Sequence, residues 1–173
     1  RESFNQIEKM KWPKLKNLKF LQVWNWFIEH SFIFDRHSKT KMELALNAYT
    51  HLYDENSIDT VFDLFWALVG IEAIYCSGKE AISEQIFIKT QLVLGPLNDY
   101  KKKLKQMYDF RSRLVHGDLN IPPKHYSNDD SDDYTFHENL FDSAALAVAI
   151  LTATLQVLIS ENKTELNFKY VVE

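Results

Sequence analysis

The segment Leu104-Lys-Gln-Met107-Tyr108-Asp-Phe-Arg111-Ser-Arg-Leu114-Val115-His116-Gly117 decides the fold class of this 173-residue chain. Leu104, Met107, Tyr108, Arg111, Leu114 and Val115 recur at i, i+3 and i+4, the spacing that lines one face of an α-helix. Gly117 stops the helix, because glycine readily takes the left-handed conformation that closes a helical C-terminus. Arg111 falls on the apolar face, where a surface arginine would not. Arg111, Arg113 and His116 crowd the last turn. Cations there complement the negative end of the helix dipole, as at any helix end. They are also a chemical set: arginine is a permanent cation with fixed donors, and histidine exchanges a proton near neutral pH. Together they are the parts needed to hold a phosphodiester and move protons around it.

Outward from this helix the chain keeps the same character. Hydrophobic residues make up 46%, and there are four Gly and four Pro. Few turn formers and long apolar runs predict a single all-α domain. Lys39 to Tyr53 reads as a helix with Met42, Leu46, Tyr49 and Leu52 on one face. Ser57 is a suitable N-cap for a helix from Ile58 to Cys76. That helix is apolar nearly all round from Leu64 onward, so it is expected at the centre. Glu72 is its lone charge there: either it pairs with a cation, an arginine by preference, or it lies on a narrow solvent-facing strip. Ser77-Gly78 ends the helix, Ile82 to Leu94 forms the next, and Gly95-Pro96 breaks the chain again. Asn98 or Asp99 is expected to cap the helix carrying the arginines. Asp118 to His137 reads as a long polar loop with Pro122-Pro123 and an acidic cluster. Leu140 to Ile159 is the last long helix, buried in the core or in a subunit contact, with Thr152, Thr154 and Gln156 interrupting its apolar run.

The N-terminal stretch holds Phe4, Trp12, Phe20, Trp24, Trp26, Phe27, Phe32 and Phe34. Phe20, Val23, Trp24, Phe27 and Ile28 recur at helical spacing. Such residues serve as stacking platforms for bases, but core packing is their commoner use and the expected one. Residues 1–38 are therefore assigned to an aromatic-rich helical segment packed on the core, 39–160 to the helical core, and 161–173 to a tail with an extended stretch from Leu166.

Net charge is −4, yet it is unevenly spread. Between Lys101 and Arg113 six basic residues face one acid, Asp109. A bulk nucleic-acid binder is disfavoured, whereas a local patch at Lys101, Lys102, Lys103 and Lys105 suits phosphate contacts. The single cysteine, Cys76, excludes an intrachain disulfide framework and a Cys-based metal site. No ligand spacing for a metal is present, and no cofactor is expected. The chain shows no signal-peptide pattern and no confident membrane span, so a cytoplasmic location is expected. It starts at Arg1 rather than Met, which suggests a larger parent or a trimmed end.

Two stretches carry a family resemblance. Ala67-Leu-Val-Gly-Ile-Glu72-Ala-Ile-Tyr, followed by Tyr108-Asp-Phe-Arg111-Ser-Arg-Leu-Val-His116-Gly117, resembles the HEPN superfamily, and within it the Apea-like branch. Helices of that branch carry an "ALE" segment and then an arginine–serine pair, three residues and a histidine–glycine pair. Arg111 and His116, four residues between them, fit the family's Arg-to-His pattern. Ser112 stands where the family often has Asn, Asp or His, and Glu72 matches its acidic position. The resemblance spans roughly residues 40–160 by element order.

The resemblance implies an α-helical bundle that dimerises with its two motif helices close together. Catalytic members are metal-independent endoribonucleases, many in toxin–antitoxin and antiphage systems; others act only as binding or dimerisation modules. The expectation is an RNA-cutting homodimer with His116 in proton transfer, Arg111 on the phosphate, and Arg113, Ser112 and Glu72 in support. Further domains or an antitoxin are possible partners. The alternative is a non-catalytic module that dimerises or binds a nucleotide or partner within a larger defence protein. Helical geometry poses a problem for a single-chain site. Five residues turn about 500°, which leaves Arg111 and His116 roughly 140° apart. Either Gly117 lets the last turn unwind, or two chains build the site. Arg113 and His116 do share a face, so Arg113 is a second candidate for the phosphate, with Arg111 then pairing with Glu72.

Overall fold

The computed structural model describes residues 7, 10–32, 37–53, 60–78, 80–121 and 131–168. These contain six α-helices of ten residues or more and no strand. In chain order they are α1 (Phe20–Glu29), α2 (Lys41–Thr50), α3 (Thr60–Tyr75), α4 (Ile82–Leu94), α5 (Lys101–His116) and α6 (Ser131–Ser160). The expected all-α bundle is what the chain forms.

The centre of the bundle is shared by α6 and α3. Every residue from Ser143 to Leu151 on α6 is buried. Helix α3 lies along α6 and against α2, α5 covers another side of α6, α4 touches both α3 and α6, and α1 rests on α6. Small residues let α3 approach closely. A Cβ added at Gly70 would come within 2.8 Å of the Leu151 side chain, so any larger residue there would force Leu151 to shift. One side of α3 nonetheless stays open, with Phe62 and Phe65 half exposed.

Two of the polar residues that interrupt α6 are tethers, whereas the Thr152 hydroxyl is buried without a hydrogen-bond partner. Thr154 Oγ1 lies 2.8 Å from the Tyr75 hydroxyl and donates to the Ile150 carbonyl. Gln156 Oε1 accepts from the Lys16 amide at 2.7 Å. By length and composition α6 could cross a membrane, but 78% of its most apolar stretch is buried inside the bundle. That burial accounts for its hydrophobicity.

Several boundaries differ from expectation. Helix α2 ends at Thr50 and tightens into a 3₁₀ turn over His51–Tyr53. It starts with a full capping box between Thr40 and Glu43. The proposed cap Ser57 lies outside the described residues. Neither Asn98 nor Asp99 caps α5; they lie in a 3₁₀ turn, Asn98–Tyr100, that leads straight into the helix. The polar loop is shorter than Asp118–His137, because α6 already begins at Ser131. Asp132 and Asp133 therefore sit in the first helical turn, and His137 is helical. Phe136 packs on Phe110 of α5, ring centroids 5.6 Å apart, which anchors this early start. Residues 122–130 of that loop lie outside the described residues.

The C-terminal stretch folds back on the bundle. Leu166 and Phe168 pack against the core, and the Phe168 ring lies under the Lys89 ammonium at 5.0 Å. Buried Lys89 also donates to the Tyr75 carbonyl at 2.6 Å, while Lys41 donates to that of Cys76 at 2.6 Å. Two ammonium groups from different helices thus cap the negative end of α3.

Candidate functional site

Helix α5 delivers the candidate residues, and its register decides what they meet. Leu104, Met107, Tyr108 and Phe110 are buried against the bundle. Arg111, one turn further along the apolar stripe, reaches α3: its Nη2 is 3.1 Å from Glu72 Oε1. The arginine side chain is 35% exposed and the glutamate 24%. The contact is an ion pair without hydrogen-bond alignment, since buried Glu72 Oε1 has no donor in bonding geometry despite the short distance. Of the two readings of Glu72, the cation-paired one describes the molecule.

The helix does not unwind at its end. It stays regular through His116, and Gly117 takes the left-handed conformation at φ 75°. The amides of Gly117 and Asp118 both return to the Arg113 carbonyl, the latter at 2.8 Å. A closed helix end keeps the angular separation of Arg111 and His116 at roughly 140°. Local unwinding is therefore removed as a way to join them within one chain. Arg113 and His116 do share a face, and both are exposed, as is Ser112. Arg113 Nη2 makes only a long contact, 3.4 Å, with the Asp118 carbonyl. The structure thus gathers Arg111 with Glu72, and Arg113 with His116.

The four lysines lie elsewhere. Lys101, Lys102, Lys103 and Lys105 are all exposed on the first turns of α5. At 1.5 Å per residue, Lys101 is about 22 Å along the axis from His116. They form a separate basic surface, with Lys103 3.5 Å from Asp142 of α6.

Around Glu72 the electrostatics favour neutral groups. Burial, and then the Glu72 charge, push the Tyr108 phenol well above its ordinary range; Arg111 opposes this. The same two causes raise the Cys76 thiol. Neither side chain is a nucleophile near neutral pH, because the anion is the reactive form. The Tyr108 hydroxyl is buried without a hydrogen-bond partner, a feature its place on an apolar stripe did not signal.

Beside the ion pair lies a cleft of about 390 Å³ between α3 and α5. Phe62, Phe65 and Val69 form one wall, Leu114 and Val115 the other, and Glu72 and Arg111 also line it. Phe65 and Val115 are 50% and 58% exposed. Sequence reasoning missed this surface by taking every side of α3 as covered. Among the described residues no group of three or more His, Cys, Asp or Glu side chains is placed to hold a metal. Comparison with known proteins yields no match: no family profile, curated protein or solved structure is similar to the chain.

Proposed function

We propose that this chain is a HEPN-like, metal-independent endoribonuclease whose site is completed by a second copy. The observation that carries the reading is the closed end of α5. With the helix regular to its end, Arg111 meets Glu72 while Arg113 and His116 stay exposed on another face, so that facing helices would complete the set. The uncovered apolar walls at Phe62, Phe65 and Val115 adjoin the same residues and supply the contact for that second copy. Dimers of this kind rest on apolar area excluded from water.

In this reading His116 takes the proton of the ribose 2′-hydroxyl. The freed oxygen attacks the adjacent phosphorus, and the bond to the 5′-oxygen breaks as that oxygen gains a proton. The products are a 2′,3′-cyclic phosphate and a 5′-hydroxyl. Histidine suits both proton transfers, and the two His116 copies of a dimer would supply base and acid. Arg111 and Arg113 neutralise charge building on the phosphate oxygens. Glu72 holds the Arg111 guanidinium in place, and other donors of its fork remain for the phosphate. A role in toxin–antitoxin or antiphage defence belongs to the same proposal and rests on the family resemblance alone.

The test is RNA cleavage by purified protein in EDTA, with His116→Ala and Arg111→Ala beside wild type and light scattering on all three. Loss of cleavage in both variants, with dimer mass retained in His116→Ala, supports the reading. Equal cleavage by His116→Ala and wild type removes the nuclease assignment. A helical interaction module in a larger defence protein then becomes the leading account.

A further inference from the structure

Two lysine groups that are far apart in sequence meet at Tyr100. From Met10 to Ile28 the chain carries Lys11, Lys14, Lys16 and Lys19 and no acid. Residues 10–19 form an irregular strap across the bundle. The Lys11 amide donates to the Tyr100 hydroxyl at 3.2 Å, and the Trp12 indole donates to the Gly95 carbonyl at 3.2 Å. The Trp12 and Tyr100 rings lie 5.9 Å apart. The Lys103 ammonium also sits 5.7 Å from the Tyr100 ring, and Lys101 precedes it on α5. All eight lysines at 11, 14, 16, 19, 101, 102, 103 and 105 are exposed.

The strap leads into α1, whose aromatics divide in two. Trp26 is buried and donates to the Lys163 carbonyl. Phe20 and Trp24 point the other way, 75% and 53% exposed, their rings 6.1 Å apart and only 16° from parallel. Leu21 and Ile28 extend this shelf. The expected core face of α1 is thus mostly a surface.

From this juxtaposition we infer that the strap and the start of α5 form a track for single-stranded nucleic acid, with lysines along the phosphates and unpaired bases stacking on Phe20 and Trp24. Sequence-tolerant strand binding combines a positive path with aromatic faces in this way. An anionic membrane fits less well. A membrane-lying helix carries its cations on its own polar face, and Phe20–Glu29 contains no Lys or Arg. The lysines lie on the strap that precedes the shelf and on α5, and none lies on α1 itself. The track deepens the nuclease reading, since it would hold a substrate strand at the start of α5, about 22 Å from His116, and it rests on that reading for the identity of the strand as RNA.

Binding is measured apart from cutting. Anisotropy of a labelled 15-nucleotide oligouridine is followed in EDTA with His116→Ala protein, against the same background carrying Trp24→Ala or the pair Lys14→Gln/Lys19→Gln. Wild-type cleavage is scored separately. Trp24→Ala is expected to weaken binding about tenfold. The lysine pair is expected to lower the log–log salt slope by about 1.4, at roughly 0.7 per phosphate contact on single strands. Melting curves should not move, since all three side chains are exposed. Affinity unchanged in both variants, preference for duplex over single strand, or binding to phosphatidylserine vesicles but not to the oligomer would each overturn the track. Lost cleavage with variant-sensitive binding breaks the nuclease reading and leaves the track standing.

Discussion

The run Ala144–Leu151 on α6 and the outer side of α3 at Phe62, Phe65 and Val69 are both strongly apolar, yet they end in opposite surroundings. The first is buried on all sides, and polar neighbours such as Thr154 and Gln156 are tied to other elements. The second stays half open beside an ion pair. Composition is the same in kind; what differs is whether this chain supplies enough surface to cover it. The α6 run is core in one copy, and the α3 wall is apolar surface left over, the ordinary sign of an interaction site.

Substitutions separate the two regions by size of effect. Leu151→Ala should cost about 2–5 kcal/mol, the range for a fully buried leucine, and show as a large drop in melting temperature. A loss below about 1 kcal/mol would mean that the α3–α6 crossing relaxes freely. Glu72→Ala should cost about 1–2 kcal/mol. That is less than for a fully buried pair, because the partial exposure of Arg111 and Glu72 screens the interaction. An unchanged melting temperature would show that the ion pair contributes nothing.

Tyr108→Phe works in the other direction. Removing a buried hydroxyl without a partner should leave stability unchanged or raise it by about 1 kcal/mol. It also reports on pH. A phenol whose folded pKa is raised favours the protonated folded state, so its stability contribution is complete below its unfolded value, 10.0, and falls as pH rises through it. Cys76 acts likewise above 9.0. Urea midpoints from pH 8 to 11 should decline less steeply in Tyr108→Phe than in wild type; parallel profiles would remove the burial argument. The open wall separates stability from association. Phe62→Ser/Phe65→Ser removes two half-buried rings and should cost a dilute monomer about 1–3 kcal/mol. In light scattering at tens of micromolar it should halve the mass. Wild type already monomeric there would refute the second-copy proposal.

Periodicity made the helices legible. The i, i+3, i+4 pattern of Leu104 to Val115 and the stop at Gly117 correspond to α5, and Ile82–Leu94 is read without error. Periodicity says nothing about which apolar face finds a cover, so the open side of α3 was missed and Trp24 was placed in the core. Trp24 and Trp26, two apart, point to opposite sides of α1, and only the position of α6 decides which is buried. Local chemistry was richer than the reading made of it. Thr40-Lys-Met-Glu43 carries a capping box, and Ser131-Asp-Asp before Phe136 marks an early helix start. For the candidate site, the isolation of Glu72 in an apolar run foretold its ionic partner. The buried Tyr108 hydroxyl and the α3–α5 cleft depend on how two helices lie side by side, which no single periodicity encodes.

The two lysines on the last carbonyls of α3 bear on motion. Lys41 comes from α2 and Lys89 from α4, so the end of α3 cannot fray without releasing a contact to each neighbour. Amide exchange along α2, α3 and α4 should follow one shared opening, while α1, tied to the end of α6 through Trp26 and His30, exchanges on its own schedule.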